Sequence, residues 1–110
     1  LLTNRTLNRL FSHNLKENGE ITIGAPKNVH SGLSIGAVSR KVPCIHPYYR
    51  ITEDASIKYG SKAFGDCTIS KFAMDQCIKA SAALAFTAFD LIEKNDLLSE
   101  VKEEFYNVFK

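Results

Sequence analysis

The sequence predicts an α/β domain, and three observations predict it. Apolar residues recur at helical spacing in an opening segment, in a long central segment and in a closing one. Between the first two lie short runs of alternating or β-branched residues broken by proline. Gly, Ser, Asn and Pro gather in the stretch 24–36, as a connecting loop requires. With 45% apolar and 24% charged residues, the 110-residue chain has the composition of one small globular domain.

The opening helix starts at Thr3 or Asn4, either of which can accept a hydrogen bond from an unsatisfied first-turn N–H. Leu7, Leu10, Phe11 and Leu15 fall on one of its faces, with His13 on the polar side. Asn18-Gly19 ends it, glycine supplying the left-handed backbone that helix ends favour. Ile21-Thr22-Ile23 alternates long enough for a short strand. Segments 37–42 and 45–51 read as extended pieces on either side of Pro43. Because Pro43 and Pro47 carry no N–H donor, these are strand ends or an edge. After a loop over 52–60, a short helical turn forms around 62–64.

Ser70 caps the longest element, from Lys71 to about Glu93. Between 80 and 92 this helix is apolar nearly all round, a pattern that calls for burial on both faces. A domain of this size has little other material to cover it, so the pattern points to missing partners. Asn95 or Asp96 is expected to cap a last helix. There Leu97, Leu98, Val101, Phe105 and Val108 form the inward stripe, with Glu100, Lys102, Glu103 and Glu104 solvated.

Charge and cysteine usage exclude several classes. Fourteen Lys and Arg against twelve Asp and Glu give a net charge of +2 without a basic cluster, which argues against a nucleic-acid surface. The most apolar window, 72–92, carries Asp75, Gln76, Lys79 and Asp90, so a buried helix fits it better than a membrane span. Three cysteines, Cys44, Cys67 and Cys77, cannot all pair within the chain. Reduced thiols and a cytoplasmic location are the expectation. The chain opens Leu1-Leu2-Thr3 without methionine and reads as a piece of a longer protein.

Composition and spacing supply no self-contained active site. His13, His30 and His46 include no closely spaced helical pair, and no two cysteines have zinc-ribbon spacing. Cys44 and His46 share a face if their segment is extended. They read either as two ligands or as a small buried thiol beside a structural imidazole. Ser31, Ser34 and Ser39 lie outside any Gly-x-Ser-x-Gly elbow, and the glycines of 24–36 lack phosphate-loop spacing.

A resemblance becomes specific at Ser31-Gly32-Leu33-Ser34-Ile35-Gly36-Ala37-Val38-Ser39 and at Val42-Pro43-Cys44-Ile45-His46-Pro47-Tyr48-Tyr49. These segments resemble the C-terminal part of the aminoacylase/carboxypeptidase-type zinc metallopeptidases, the amidohydrolase family that includes p-aminobenzoyl-glutamate hydrolases. There a Gly-Ser-Thr-Asp-Met-Gly-Asn-Val-Ser stretch leads to Val-Pro-x-Ile-His-Pro-Tyr. The family's His-Ser/Thr-x-x-Phe segment is similar to Gly60-Ser61-Lys62-Ala63-Phe64, and its closing helix to Ala83-Leu84-Ala85-Phe86-Thr87-Ala88-Phe89-Asp90-Leu91-Ile92.

The resemblance implies that residues 1–110 are the C-terminal part of a zinc-exopeptidase-like catalytic domain, a few strands with helices packed on the sheet. The lid domain and the N-terminal half are absent. It implies zinc, or another divalent metal, in the full-length family, bound by a His-x-Asp and a Glu-Glu that this chain does not contain. One further ligand is the His of His-Ser/Thr-x-x-Phe, and Gly60 stands in its place. No metal and no catalytic residue is therefore expected for this chain alone. Ser34, Gly36, His46 and Ser61 are the positions the resemblance puts towards a site. Ser34 stands where the family has Asp, and Ala37 where it has Asn or Asp. The expected partner is the missing half of the catalytic domain, or a second copy of the chain, with neither nucleic acid nor a membrane.

Overall fold

A computed structural model describes residues 1–19, 34–54 and 56–109. Five helices follow in chain order: α1 (Arg5–Glu17), α2 (Ile35–Val38), α3 (Lys62–Cys67), α4 (Lys71–Glu93) and α5 (Asn95–Val108). Helices α1 and α5 both pack on α4, and α1 also meets α5, so three long helices form the body.

The α/β expectation is wrong: among the described residues every regular element is a helix and none is a strand. Two of the three extended segments account for this. Segment 37–42 begins inside α2 and continues as a turn, with Ser39 N–H donating to Ile35 O at 2.9 Å and Val42 N–H to Val38 O at 3.1 Å. Segment 45–51 is irregular, because a strand exists only where a neighbouring strand accepts and donates along its length. The contact it does make is with a helix end, where Asn4 N–H donates to Cys44 O at 2.9 Å. Ile21-Thr22-Ile23, His30 and Ser31 lie outside the described residues.

Helices α1, α3 and α4 start where the sequence places them, whereas α2 falls where a loop and an extended segment are expected. Asn4 caps α1, its Oδ1 accepting from Leu7 N–H at 2.9 Å, and Gly19 past the C-terminus has φ +100°. Phe11 is buried among the expected apolar stripe, while His13 is exposed. Ser61 caps α3 and Ser70 caps α4, each hydroxyl accepting at 3.1 Å from the N–H three residues on. The last helix departs from expectation. It begins at Asn95 behind Lys94, with no side chain capping it. Within it Val101 is buried, but Val108 is exposed.

The buried set is small and half polar. Phe11, Cys44, Ala73, Ala80, Ala83 and Val101 are its apolar members, and Asn4, Thr6, Asn14, Ser39, Gln76 and Thr87 are as deeply placed. Along α4, the buried Ala73, Gln76, Ala80, Ala83 and Thr87 follow one helical stripe against α1 and α5. Burial on both faces of α4 is not what the structure contains. Met74, Ile78, Leu84, Phe86, Phe89 and Ile92 are all at least half exposed. No helix among the described residues is long and apolar enough to cross a membrane.

Candidate functional site

The four residues expected near a site stand at three separate places along the chain. Ser34 is exposed at the start of α2, where its side chain makes no capping bond. Gly36 lies inside α2, and an added Cβ would meet the Leu1 backbone nitrogen at 3.7 Å, an ordinary contact. Its carbonyl accepts from the Ser39 hydroxyl at 2.6 Å, and that hydroxyl in turn accepts from Leu2 N–H at 2.9 Å. Ser39 is thereby buried and ties the chain start to α2, a role that its place in a Gly/Ser-rich motif does not announce.

His46 is half-buried in the irregular run before the loop, its ring meeting the edge of Tyr48 at 4.9 Å between centroids. Its Nδ1 is enclosed and has no hydrogen-bond partner among the described residues. Ser61 is exposed, and its hydroxyl is committed locally, donating to Lys58 O at 2.7 Å and accepting from Phe64 N–H. No hydrogen bond, ion pair or ring contact joins any two of these four residues among those described.

Gly60 has φ +88°, a backbone conformation in which a side chain is strained, and a Cβ there would meet nothing within 4 Å. The position therefore offers space but no donor, on a backbone suited to glycine. Tyr59 beside it is 89% exposed and leans on Phe64, ring centroids 5.3 Å apart. Cys44 is buried, and that burial pushes its thiol pKa up, away from the thiolate a metal requires. Among the described residues no group of three His, Cys, Asp or Glu side chains can hold a metal ion. The residues present do not fit a complete metal site.

The best-built polar constellation lies elsewhere, where α5 meets the start of α1. Glu104 Oε2 accepts from Arg5 N–H at 2.6 Å, and Oε1 accepts from Thr6 N–H at 2.8 Å and from the Thr6 hydroxyl at 2.7 Å. With Asn4 Oδ1 on Leu7 N–H, the first three N–H groups of α1 are satisfied. Asn4 also donates through Nδ2 to Val101 O at 3.0 Å, joining the same two helices. Burial alone would raise the Glu104 carboxyl. The hydrogen bonds from Arg5 and Thr6 outweigh it, and with Arg9 nearby they hold the pKa below the usual glutamate value.

An open groove runs along this junction, lined in part by Leu2, Arg5, Arg9, Glu100 and Val108. Arg9 and Glu100 approach to 3.4 Å there, both well exposed. The carboxylate oxygens of Glu104 are already used as a helix cap, so the junction is a structural clasp rather than a reaction site. Glu104 is the residue that sequence reasoning misread as solvated. Its partners are 98 and 99 positions away, and no local spacing signals them.

A second polar joint links α1 to α4. Asn14 Nδ2 donates to Thr87 Oγ1 and to Asp90 Oδ2, both at 3.1 Å, and the Thr87 hydroxyl donates to Ala83 O at 2.7 Å. On another flank of α4 the Tyr49 hydroxyl meets Cys77. That hydrogen bond, more than burial, raises the tyrosine pKa. Cys77 is exposed.

Comparison with known proteins gives the site its context. Over 108 residues the chain is 35% identical to the Xaa-Arg dipeptidase of Mus musculus, which is 96% of this chain and 25% of the mouse protein. It is also 36% identical over 70 residues to the Xaa-Arg dipeptidase of Homo sapiens, covering 64% of this chain and 16% of that protein. The chain is related to peptidases. It spans about a quarter of the length of the mouse relative it matches. No protein-family profile matches the chain, and no solved structure matches it.

Proposed function

We propose that this chain is the C-terminal part of the catalytic domain of a metal-dependent amidohydrolase or peptidase, and that by itself it does not hydrolyse amide bonds. The observation that carries the reading is the reach of the similarity, which covers nearly all of this chain but a quarter of the mouse dipeptidase. The ordered motifs around Gly36, His46 and Phe64 support it.

In the parent enzyme, a zinc ion or another divalent metal would polarise the amide carbonyl and activate water. Its ligands would come from the lid-bearing N-terminal part of the protein. Within this chain Ser34, Gly36, His46 and Ser61 are the residues proposed to face the substrate, and the enclosed Nδ1 of His46 is a group that a missing element can satisfy. The names of the two relatives point to dipeptides ending in arginine as the substrate class. The cytoplasmic location belongs to the same reading, supported by three cysteines that stay free.

A second reading is favoured by Gly60, which offers no donor where the resembling motif has its histidine. On that reading the chain is a non-catalytic binding or self-associating module derived from the same family. The reading frame upstream of the Leu1 codon separates the two. An open frame encoding a His-x-Asp and a Glu-Glu supports the enzyme part, whereas a stop or frameshift there sinks it. For the isolated chain, dialysed protein should retain no zinc and leave Xaa-Arg dipeptides uncut; stoichiometric zinc or turnover contradicts the first reading.

A further inference from the structure

The end of α1 carries a pair of residues whose chemistry the peptidase reading does not use. Asn18 is followed by Gly19, and it is the one asparagine of the chain with glycine after it. The others precede Arg, Leu, Val or Asp, whose side chains crowd the next backbone nitrogen. Glycine has no Cβ, so its nitrogen is open to the side chain before it. Asn18 is partly exposed and Gly19 exposed, so water reaches both, whereas Asn4 and Asn14 are buried.

Asparagine is a thermolabile residue because its side-chain amide can be displaced. A five-membered ring forms when the Gly19 nitrogen bonds to Asn18 Cγ. The Cγ–Nδ2 bond breaks, and ammonia leaves with the proton that the Gly19 nitrogen gives up. Water then opens the ring at one of its two carbonyls. One opening leaves aspartate in an ordinary backbone; the other routes the chain through the side chain as isoaspartate. The sum is one water consumed and one ammonia released.

The folded end of α1 holds the reacting atoms apart. Gly19 N–H donates to Lys16 O at 3.0 Å, and Asn18 Nδ2 donates to Asn14 O at 2.8 Å. Ring closure needs the Asn18–Gly19 peptide turned so that its nitrogen eclipses Asn18 Cβ. With ψ at 16° it nearly eclipses the Asn18 nitrogen instead, and the tetrahedral Cα keeps those two directions well apart. The reactive geometry is therefore reached only when the last turn of α1 lets go. Helix ends open at little cost beside the whole fold. The joint of Asn14 with Thr87 and Asp90 lies one turn earlier and resists that opening.

We propose that Asn18-Gly19 is a site of spontaneous modification, at which opening of the end of α1 lets the Gly19 nitrogen displace ammonia from the Asn18 side chain and water then yields aspartate or isoaspartate. Either product loses the Nδ2 donor to Asn14 O and puts a carboxylate at the C-terminal end of α1, where the helix dipole disfavours it. Isoaspartate also adds a backbone carbon between Lys16 and Gly19, so the bond that now closes the helix is displaced. The inference does not depend on the peptidase reading, since it is read by mass and not by activity.

The 110-residue chain is incubated at neutral pH, folded in buffer and unfolded in urea, and peptides spanning Asn18 are followed by mass spectrometry. The Asn18 peptide should gain one dalton, with isoaspartate among the products, at least tenfold faster in urea than in buffer. Asn14→Ala leaves the Asn18-Gly19 pair untouched but loosens α1 from α4. It should raise the rate in buffer several-fold and leave the rate in urea unchanged. Equal rates in buffer and urea overturn the proposal, as does earlier conversion of another asparagine in the folded chain. So does a folded chain that keeps Asn18 intact, with and without Asn14→Ala, while the unfolded chain converts.

Discussion

The two sides of α4 differ in the opposite way from an ordinary amphipathic helix. Its inner side buries three alanines with Gln76 and Thr87, while its outer side exposes Met74, Ile78, Leu84, Phe86, Phe89 and Ile92. Burial of a large apolar side chain contributes about 1.5–3 kcal/mol, several times what an alanine methyl supplies. Most of the stabilisation available to this helix is thus held on the side that none of the described residues covers. The inner side relies instead on close approach and on specific hydrogen bonds: Asn14 to Thr87 and Asp90, Asn4 to Val101, and Glu104 to the start of α1. The proposal that a partner completes this fold rests on that contrast.

Substitutions on the two sides should separate accordingly. The largest effect is expected from Ala83→Leu, because Ala83 is fully buried where α4 meets its neighbours. Overpacking there should cost about 2–3 kcal/mol in urea unfolding. Asn14→Ala removes the donor to two acceptors and should cost about 1.5 kcal/mol by the same measurement. Glu104→Gln should cost about 1 kcal/mol, since water reaches part of the carboxylate and screens it.

That variant also carries a pH signature. The Glu104 carboxyl is held below its usual pKa, so its contribution is complete above the unfolded-state value and disappears as pH falls through the lower folded-state value. The difference in stability between the native chain and Glu104→Gln should shrink on acidification from neutral pH. A gap that widens below pH 4 would contradict the clasp. At the small end, Ile92→Ser on the outer side should change the unfolding free energy of the dilute chain by less than about 0.5 kcal/mol. An Ile92→Ser loss as large as that of Ala83→Leu would erase the contrast between the two sides.

Helix positions were legible in the sequence because their signals are local. Asn4, Ser61 and Ser70 each cap a helix whose N–H partner lies three residues on, and Gly19 ends α1 with the positive φ that only a nearby glycine supplies cheaply. The expected strands failed for the opposite reason. A segment such as 45–51 has strand-like residues, but a sheet is a long-range object, and the described residues contain no neighbour for it. Glu104 was hidden in the same way, since its charged surroundings in α5 read as solvent-facing while its partners sit at the other end of the chain. The apolar circumference of α4 was visible in the sequence; which side is exposed among the described residues was not, because that depends on where α1 and α5 dock.

The accessibility of Cys77 tests most directly whether the outer side of α4 is an interface. This thiol is exposed in the single chain, beside the exposed Met74 and Ile78 on α4. Its alkylation rate, followed at residue level by mass spectrometry, should fall as chain concentration rises and should recover in Ala85→Glu, which puts a charge on that exposed side. A rate that is independent of concentration would show that the exposed hydrophobic side stays open to solvent, and would contradict the account.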